Sequence, residues 1–303
     1  MGAWQKLGLL FSPDNQAEWF VTHAALPTAE AIDDDILRVY FSGRDEVGRA
    51  QIGYFDCELE PEPRVLRVSN APIICFGEKG LFDDRGVVTS CLIDYESEKY
   101  LYYTGWMLGV TVPFYFYIGL AIAPQGTIDF VKHAPVPIMD RNSIDPYLLG
   151  SPFILVENDI WRMWYVSAQR WEQHGDGLRH YYLIKYAWSE DGLIWHRDGH
   201  ICIDFSSDAE YALARPHVIK EDGYYHMWYA YRGDAYRIGY AVSEDGLNWE
   251  RRDSEVGIDV SESGWDSEMI EYPYIFDHQG KRYMLYNGNG YGKTGIGLAV
   301  WRE

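Results

Sequence analysis

The sequence predicts an all-β protein, a single five-bladed β-propeller whose blades are four-stranded antiparallel sheets. Three observations predict it: one short strand motif recurs five times, a second strand follows each copy, and Asp-Gly turns recur between later strands. The apolar residues alternate with a period of two, and the segments are too short for helices. A helical solenoid, the competing repeat architecture, is therefore not favoured.

The recurring strand is rich in aromatic residues, which are typical of β-strands. Its copies align on aromatic residues that are 62, 62, 64 and 57 positions apart: Phe41, Tyr103, Tyr165, Tyr229 and Tyr286. The following strands begin at Ile52, Ile118, Ile184, Ile238 and Ile296. A third element precedes three copies, in which Pro152, Pro216 and Pro273 each lie 13 residues before the aligned tyrosine.

The ends of the repeats define the predicted blades and the closure of the ring. Asp-Gly turns at 189–195 and 243–249 separate a third strand from a fourth, since glycine accepts the positive φ of such turns. The fifth repeat lacks a fourth strand, so the N-terminal strand is expected to complete the last blade and protect the sheet edges. The single domain 1–303 then divides into blades at about 14–75, 76–140, 141–204, 205–261, and 262–303 with 1–13.

Composition and charge restrict the classes of partner. Hydrophobic residues make up 47% of the chain, so a large core is expected, and the 16% of aromatic residues suit both strand packing and stacking on sugar rings. The net charge of −20 disfavours nucleic acids and anionic membrane surfaces, and no stretch of about 18 apolar residues predicts a membrane span. A carbohydrate is the expected partner, with no nucleic acid and no membrane.

The cysteines and the short motifs predict a cytoplasmic protein without a cofactor. Cys57, Cys75, Cys91 and Cys202 form no CxxC pair and are interpreted as reduced thiols, and no signal-peptide pattern is visible. The nine histidines show no metal-ligand spacing, so no metal site is predicted. No P-loop, dinucleotide-binding motif or nucleophile elbow is present either.

The predicted topology places the functional residues at one end of the sheets. The first strand of each blade lines the central channel, and the second strand runs antiparallel to it. The starts of the first strands and the ends of the second strands therefore share one face, where polar side chains should converge. Acid/base carboxyls are expected there at Asp84, Asp145, Glu210 and Glu268. Substrate-binding side chains are expected at His23, Arg44, Asp83, Trp106, Trp171, Arg215, Arg232 and Asp266.

These residue types suit the cleavage of a glycosidic bond. One carboxyl with a raised pKa protonates the leaving group, while an ionised carboxylate activates water. Arginines suit a phosphate or a sugar carboxylate, and tryptophans stack on the sugar ring. The structural interpretation stays open for each residue, since an Asp at a strand start is commonly a turn or cap residue. Trp106 and Trp171 could pack between blades, and Arg44 could pair with Asp45.

The five repeats, the Ser-x-Asp-Gly-x-x-Trp turns and the segment 264–273 carry a resemblance that extends over nearly the whole chain. The chain resembles the five-bladed propellers of glycoside hydrolase family 43 and its relatives, among them arabinanases, xylosidases, invertase and levansucrase enzymes and mannoside phosphorylases. It looks most like glycosylase-type members associated with bacterial surface-polysaccharide synthesis. The resemblance implies activity on a glycosidic bond.

The family pattern is matched only in part. Family members use an Asp base in the first blade, a second Asp that tunes pKa in the second, and a Glu acid in the third. Here Asp83 or Asp84 matches the second position, whereas His23 stands where the first Asp is expected and Asp145 where the Glu is expected. The leading hypothesis is an inverting, glycosidase-like enzyme. The alternatives are a phosphorylase or glycosyltransferase on the same scaffold, and a sugar-binding propeller without catalysis.

Overall fold

The computed structural model describes residues 2–14 and 17–303, and nearly all of the regular structure in them is β-strand. Helical structure in these ranges is limited to a three-residue turn, Asp253–Glu255, and a four-residue turn, α1 (Asn289–Gly292). The predicted all-β class is confirmed. Residues 1, 15 and 16, which belong to the predicted segments 1–13 and 14–75, lie outside the described residues.

The strands are numbered along the chain from β1 (Ala3–Phe11). The next four are β2 (Thr22–Ala31), β3 (Ile36–Arg44), β4 (Ala50–Glu58) and β5 (Arg64–Val68). They are followed by β6 (Gly86–Tyr95), β7 (Glu98–Leu108), β8 (Phe114–Pro124) and β9 (Val131–Lys132). Next come β10 (Leu149–Glu157), β11 (Ile160–His174), β12 (Gly177–Ser189) and β13 (Ile201–Ile203). The remaining strands are β14 (Ala212–Glu221), β15 (Tyr224–Arg232), β16 (Tyr236–Ser243), β17 (Glu250–Arg251), β18 (Glu271–His278), β19 (Lys281–Asn287) and β20 (Ile296–Arg302).

Strand pairing divides these elements into groups of four. Strands β18, β19 and β20 form one sheet with β1, which pairs antiparallel with β20, so the predicted pairing of the N-terminal strand is confirmed. The other two sheets each contain two consecutive groups of four strands, β2–β5 with β6–β9 and β10–β13 with β14–β17. Single parallel contacts, Ala50 with Gly86 and Tyr182 with Ala212, join the two groups of each sheet.

The first strands of the groups meet at a common centre. Strand β2 contacts β6, β6 contacts β10, β10 contacts β14, β14 contacts β18, and β18 contacts β2 again. Large buried side chains fill the space between neighbouring groups, as where Trp161 of β11 packs against Tyr95 and Tyr100 at ring distances of 4.8 and 5.5 Å. The closed cycle of contacts positions five strand ends around one mouth.

The predicted Asp-Gly turns are present and are held by their own side chains. In the turn after β12, Asp191 accepts the backbone amides of Leu193 and Ile194 at 2.8 Å, and Gly192 has a φ of +72°. The indole of Trp195 then donates to the Gly192 carbonyl at 3.1 Å. The spacing of Ser, Asp, Gly and Trp in the motif therefore reflects one local hydrogen-bonded unit.

A bulge recurs in four of the first strands, directly before a proline. There the pairing register slips and the residue before proline takes a positive φ, at Leu26 (+55°), Ser151 (+46°), Arg215 (+52°) and Tyr272 (+55°). A residue before proline normally stays extended, and a positive φ is uncommon outside glycine. Such strain persists only where surrounding contacts hold it, and here the bulged residues line the cavity described below or, for Arg215, bind two other strands.

Arg215 shows the consequence of the bulge most clearly. Its side chain is buried, with 2% exposure of the residue, and its Nη1 donates to the carbonyls of Thr89 and Ser90 at 2.9 and 2.6 Å. Its Nη2 donates to the Pro27 carbonyl and to the Thr28 hydroxyl, both at 2.7 Å. Burial lowers the pKa of this guanidinium to about 10. One side chain of β14 thus binds β2 and β6, so Arg215 lies in the interior and does not line the cavity described below.

We expect Arg215→Met to destabilise the protein by about 3 kcal/mol or more, because it leaves buried carbonyl groups of two strands without donors. Arg215→Lys should lose less, since an ammonium keeps three donors but not the planar fork. Urea unfolding monitored by tryptophan fluorescence measures both. Arg64→Met, at a side chain that is 67% exposed in its pair with Glu58, is the control and should change stability by under about 1 kcal/mol. Equal stability of Arg215→Met and the parent protein would contradict this role.

Candidate functional site

A cavity of about 320 Å³ opens where the first strands begin and the second strands end, the face on which the sequence predicts a pocket. Residues of the first strands, among them Leu26, Ser151 and Tyr272, form its inner wall after the bulges turn them inward. The full lining is Leu26, Arg44, Val88, Thr104, Trp106, Phe114, Phe116, Gly150, Ser151, Val166, Tyr182, Ala214 and Tyr272. None of these residues carries a carboxylate.

Aromatic rings form much of the cavity wall. The rings of Phe114 and Phe116 stack at 4.5 Å, and Trp106 and Tyr182 complete this side. Trp171 does not line the cavity but packs edge-on against Phe114 at 5.2 Å, behind the wall. Flat apolar faces with polar edges are the surfaces on which sugar rings stack. Of the two tryptophans predicted from sequence, Trp106 is therefore in the cavity and Trp171 supports it.

Arg44 is the positive charge in this lining. Burial lowers the pKa of its guanidinium, and among residues 2–14 and 17–303 no carboxylate forms an ion pair with it. Asp45, its neighbour in sequence, pairs with Arg49 at 2.8 Å instead. A largely desolvated guanidinium without a counter-ion attracts an anion strongly. Arg44 therefore lines the cavity, and its role in holding an anionic group stays a prediction.

His23 and Lys293 lie near Arg44 and shape the charge at this side. Burial, followed by the charges of Arg44 and Lys293, lowers the pKa of His23 to about 4, so the imidazole is neutral at pH 7. Its Nδ1 lies 2.9 Å from the hydroxyl of Thr22, and its backbone φ is +62°. His23 does not line the cavity itself. The charges of both Arg44 and Lys293 therefore act at the position of His23.

Arg232 is held among aromatic rings next to this site. It donates to the Tyr291 hydroxyl at 2.6 Å, and its guanidinium carbon lies 5.3 to 5.5 Å from the rings of Tyr211, Tyr236 and Tyr291. Its Nε is buried and has no hydrogen-bond partner in the described part of the chain. Arg232 is not among the residues that line the cavity, so its influence on a ligand would be electrostatic.

Glu271, to which the sequence analysis assigns no role, is a carboxyl directly adjacent to the cavity wall. It is fully buried, and neither carboxyl oxygen has a partner within the described residues. Burial raises the pKa of Glu271 well above its usual range, and the charge of Arg232 and the nearby backbone amide of Tyr291 oppose this only in part. The Tyr291 amide does not have the geometry of a hydrogen bond to the carboxyl. The charge of Glu271 would raise the pKa of both Tyr182 and Tyr272, which line the cavity. Glu271 is thus a buried carboxyl beside the cavity whose pKa is raised by burial, which favours its protonated form.

The signal that could have identified Glu271 is its place directly before the Tyr272–Pro273 bulge. The bulge turns Tyr272 into the cavity and leaves the preceding side chain in the interior. No basic or turn-forming residue beside Glu271 in the sequence accounts for its carboxyl. The nearby acids, in contrast, are flanked by residues typical of turns, which suggests a structural role for them.

Three acids predicted as site residues instead form a repeated structural contact. Each is buried and accepts a hydrogen bond from the tyrosine 20 residues later in the chain, and each also pairs with a base. The sets are Asp83 with Tyr103 (3.1 Å) and Lys132 (2.6 Å), Asp145 with Tyr165 (2.9 Å) and Arg197 (2.9 Å), and Asp266 with Tyr286 (3.0 Å) and Lys6 (2.7 Å). None of these acids lines the cavity.

Asp145 makes the densest of these contacts. Its carboxylate also accepts from the Ser167 hydroxyl at 2.6 Å and from the Lys185 ammonium at 3.0 Å, and the residue is completely buried. Burial alone would raise the pKa of Asp145, but the Ser167 hydrogen bond and the Lys185 charge outweigh it and lower the pKa. A carboxylate held ionised in this way cannot donate a proton near neutral pH.

The remaining predicted acids lie apart from the cavity. Glu210 is buried and forms two bonds with the Arg251 guanidinium at 2.8 and 2.9 Å. Asp84 accepts the Gly80 amide at 2.9 Å in the loop before β6, and Glu268 is exposed. None of Asp84, Asp145, Glu210 and Glu268 lines the cavity. A turn uses the carboxylate of Asp84, and ion pairs use those of Asp145 and Glu210.

We expect Asp145→Asn to destabilise the protein by about 3–5 kcal/mol, because Lys185 and Arg197 would stay buried without their counter-charge. Asp84→Asn, at a partly exposed loop carboxylate, is the matched control and should cost about 1 kcal/mol or less. Thermal and urea unfolding of the two variants give the comparison. Loss of activity in Asp145→Asn without loss of stability would contradict the structural role.

Glu271 should give stability a specific pH dependence. Its pKa is raised in the folded state, so above about pH 4.5 the unfolded chain loses this proton while the folded chain retains it. The free energy of unfolding then falls as pH rises, by up to about 1.4 kcal/mol per pH unit until the folded pKa is reached.

Glu271→Gln removes this contribution, so its stability advantage over the parent protein should grow between pH 5 and pH 8. Urea unfolding across that range measures the difference. A constant difference between the two proteins would show that Glu271 is ionised in the fold.

The described residues contain no group of three or more His, Cys, Asp or Glu side chains placed to hold a metal ion. No helix in the described part of the chain is both long and apolar enough to cross a bilayer.

Comparison with known proteins gives relatives that match over nearly the full length of the chain. The uncharacterised protein Rv1502 of Mycobacterium tuberculosis strain H37Rv is 43% identical over 298 residues, which cover 98% of this chain and 99% of that protein. A beta-1,2-mannobiose phosphorylase of Thermoanaerobacter sp. strain X514 is 46% identical over 54 residues, or 18% of this chain and 17% of the enzyme. No protein-family model matches the chain.

Solved structures share the fold. BT0996, in a structure of its complex with RGII, has a TM-score of 0.78 at 17% identity, and the match covers 100% of this chain and 92% of BT0996. A thermostable family-43 glycoside hydrolase has a TM-score of 0.69 at 18% identity, with 96% and 92% covered. At these identities the likeness concerns the fold, whereas residue roles depend on the cavity described above.

Proposed function

Because the chain belongs to the family of the mycobacterial protein Rv1502 and has the fold of family-43-like glycoside hydrolases, we propose that it cleaves a glycosidic bond with phosphate as the attacking group. The observation that carries this proposal is the unpaired Arg44 in an aromatic cavity whose lining contains no carboxylate. It favours phosphorolysis over hydrolysis.

The proposed architecture is one five-bladed propeller domain. The five groups of four strands and the closed cycle of contacts among β2, β6, β10, β14 and β18 support it. In such a propeller the cavity lies at one end of the central channel, and Arg215 fills the channel beneath it. Ligands then reach the site from one face only.

The sugar ring is proposed to stack on the aromatic side of the cavity. Trp106, Phe114 and Phe116 offer flat faces, while the hydroxyls of Thr104 and Ser151 offer hydrogen bonds to the ring substituents. A cavity of about 320 Å³ is at the lower end of the volumes usual for small-molecule sites, so it suits a ring with an adjacent anion. The carbohydrate and its linkage are not specified by this lining.

We infer that phosphate, rather than water, is the nucleophile because of the number of carboxyls at the cavity. The described residues place none in the lining and one, Glu271, beside it. Hydrolysis with inversion needs one carboxyl as acid and a second as base for water. Phosphate is itself an anionic nucleophile, so a phosphorylase needs an acid and cations but no carboxylate base. Arg44 would hold the phosphate, with Lys293 nearby, and Glu271 would be the acid.

The reaction can be written as one displacement. A phosphate oxygen forms a bond to the anomeric carbon while the bond from that carbon to the glycosidic oxygen breaks. The leaving oxygen takes a proton from Glu271, which becomes a carboxylate. Tyr182 lines the cavity, and its hydroxyl is hydrogen-bonded to that of Tyr236 at 2.6 Å. Because Glu271 has no hydrogen-bond partner among the described residues, the proton transfer requires a side-chain movement that brings its carboxyl to the leaving oxygen or to the Tyr182 hydroxyl. A single displacement inverts the anomeric configuration, and proton exchange with water restores the acid.

The segment shared with the mannobiose phosphorylase supports this choice, although it covers 18% of the chain. A part in surface-polysaccharide metabolism and a cytoplasmic location remain predictions from the sequence. The same scaffold could also transfer a sugar to another hydroxyl, which would use the same acid in the reverse direction.

Sugar binding without catalysis is the second candidate, and one observation favours it. The only carboxyl found beside the cavity among the described residues has both oxygens enclosed by protein. If no side-chain motion exposes a path to Glu271, the cavity would bind a glycan and leave it intact.

We expect the purified protein to form a sugar 1-phosphate from an oligosaccharide only when inorganic phosphate is present. A panel of mannosides, xylosides, arabinosides and fructosides, followed by phosphorus NMR, tests this directly. Arg44→Met should raise the KM for phosphate by about tenfold or more through loss of a charge-assisted contact. Glu271→Gln should lower kcat by at least about 100-fold while phosphate binding persists.

Arg64→Met, at an exposed side chain, is the control and should match the parent protein. Sugar release that is independent of phosphate and unchanged in Arg44→Met would contradict phosphorolysis. Glycan binding that depends on Trp106 but is accompanied by no turnover would establish the second candidate.

A further inference from the structure

A second cavity of about 320 Å³ lies at the opposite ends of the strands, and we propose that it binds a neutral sugar unit. It is called the Trp4 cavity here, after Trp4 of β1, and its lining includes Trp228, Tyr240, Trp301, Glu221 and Arg282. Glu221 ends β14 and Arg282 begins β19, whereas the first cavity is lined by residues near the starts of β14 and β18. The two cavities have no lining residue in common.

The walls of the Trp4 cavity are aromatic. The rings of Trp4 and Trp301 meet edge to face at 5.1 Å, and Trp4 lies 6.4 Å from Trp228 in the same manner. Trp228 lies 5.2 Å from Tyr240, whose ring is nearly parallel to that of His226. Three tryptophans and a tyrosine around one small cavity form the kind of surface that binds the apolar face of a pyranose.

An unpaired donor gives the second, independent observation. The indole Nε1 of Trp4 is buried and has no hydrogen-bond partner within the described residues, although the residue as a whole is only 5% exposed. Buried donors in folded proteins are nearly always paired, so an unpaired one requires an explanation. A sugar hydroxyl or ring oxygen in the Trp4 cavity would accept this hydrogen bond after a small movement of a neighbouring side chain, because the nitrogen itself has almost no exposed surface.

The charges at the rim favour a neutral ligand. Arg282 forms ion pairs with Glu221 at 2.7 Å and with Asp277 at 2.8 Å, so its guanidinium is already neutralised. Glu255 adds a further acid to the lining. An anionic ligand would meet these carboxylates without a free cation, in contrast to the first cavity with its unpaired Arg44. Paired carboxylates do still accept hydrogen bonds from sugar hydroxyls.

The inference does not depend on the reaction proposed for the first cavity. Two sites at opposite ends would let one long glycan, or two glycans, engage the protein together. If both cavities bind the same glycan molecule, the affinity for a polysaccharide would exceed that for a short oligosaccharide.

Titration of neutral tetrasaccharides of mannose, xylose, arabinose and glucose, followed by tryptophan fluorescence and calorimetry, tests the proposal. We expect at least one to bind in the absence of phosphate. Arg44→Met should retain this binding. Trp4→Phe, which keeps a ring but removes the donor, and Trp301→Ala should each weaken it by about tenfold or more.

Trp188→Ala is the matched control, since Trp188 is 37% exposed, stacks on His196 and lies outside the Trp4 cavity. Thermal unfolding of each variant shows whether it is folded, and Trp301→Ala keeps the test valid if Trp4→Phe is unstable.

The proposal is overturned if no neutral glycan binds, or if Arg44→Met abolishes binding that both tryptophan variants retain. It is also overturned if the protein dimerises and Trp301→Ala prevents this, because a second copy would then occupy the cavity. Failure of phosphorolysis alone leaves these outcomes unchanged.

Discussion

A single buried guanidinium, that of Arg215, connects three of the strands that meet at the centre of the molecule. It satisfies two carbonyls of β6 and a carbonyl and a hydroxyl of β2 while it projects from β14. Arg215 takes a positive φ at the bulge before Pro216, and from there its side chain reaches both strands. The same bulge at Leu26, Ser151 and Tyr272 forms the wall of the first cavity above it. Closure of the fold and the shape of the site thus depend on one backbone irregularity.

The repeats explain why the strands could be predicted from sequence. They also explain why several acids were predicted as site residues although their carboxylates make structural contacts. Aromatic positions spaced by 57 to 64 residues identify the strands, and the N-terminal strand pairs as expected. Acids at one repeated position, however, make a repeated structural contact. Asp83, Asp145 and Asp266 each accept a hydrogen bond from the tyrosine 20 residues later in the chain. Their basic partners come from distant segments, as Lys6 does for Asp266, so no local pattern reveals the pairing. Near Phe41, rings of Trp19 and Phe20 fill the equivalent space.

Residues that depart from the repeat are better candidates for function. Arg44 and Trp106 lie at the ends of second strands, where topology alone predicts a shared face, and both line the cavity. An acid precedes the bulge in one group of strands only, at Glu271. Its carboxyl is buried near Tyr182, Tyr236 and Tyr272, and this burial could not be predicted from the sequence. The direction in which a bulged strand turns its side chains is a property of backbone geometry. It separates Tyr272 in the cavity from Glu271 behind it, although the two residues are adjacent in the chain.

The overall charge and the local charge of the cavity have opposite signs. The chain carries a net charge of −20, which would repel an anion at long range. At physiological ionic strength, however, exposed charges are screened beyond about 8 Å. The acids that pair with bases between the strands, such as Asp83 and Asp145, are neutralised by those bases. Arg44, in contrast, is largely desolvated and has no such partner among the described residues. Inside the cavity its field is weakly screened, so the short-range attraction dominates once a ligand enters. A negatively charged surface then lowers the rate at which free anions arrive without abolishing their binding. Under the proposed function, the site would therefore select anions that are brought in beside a sugar, because stacking of the sugar on the aromatic wall would lengthen the time that the ligand stays bound.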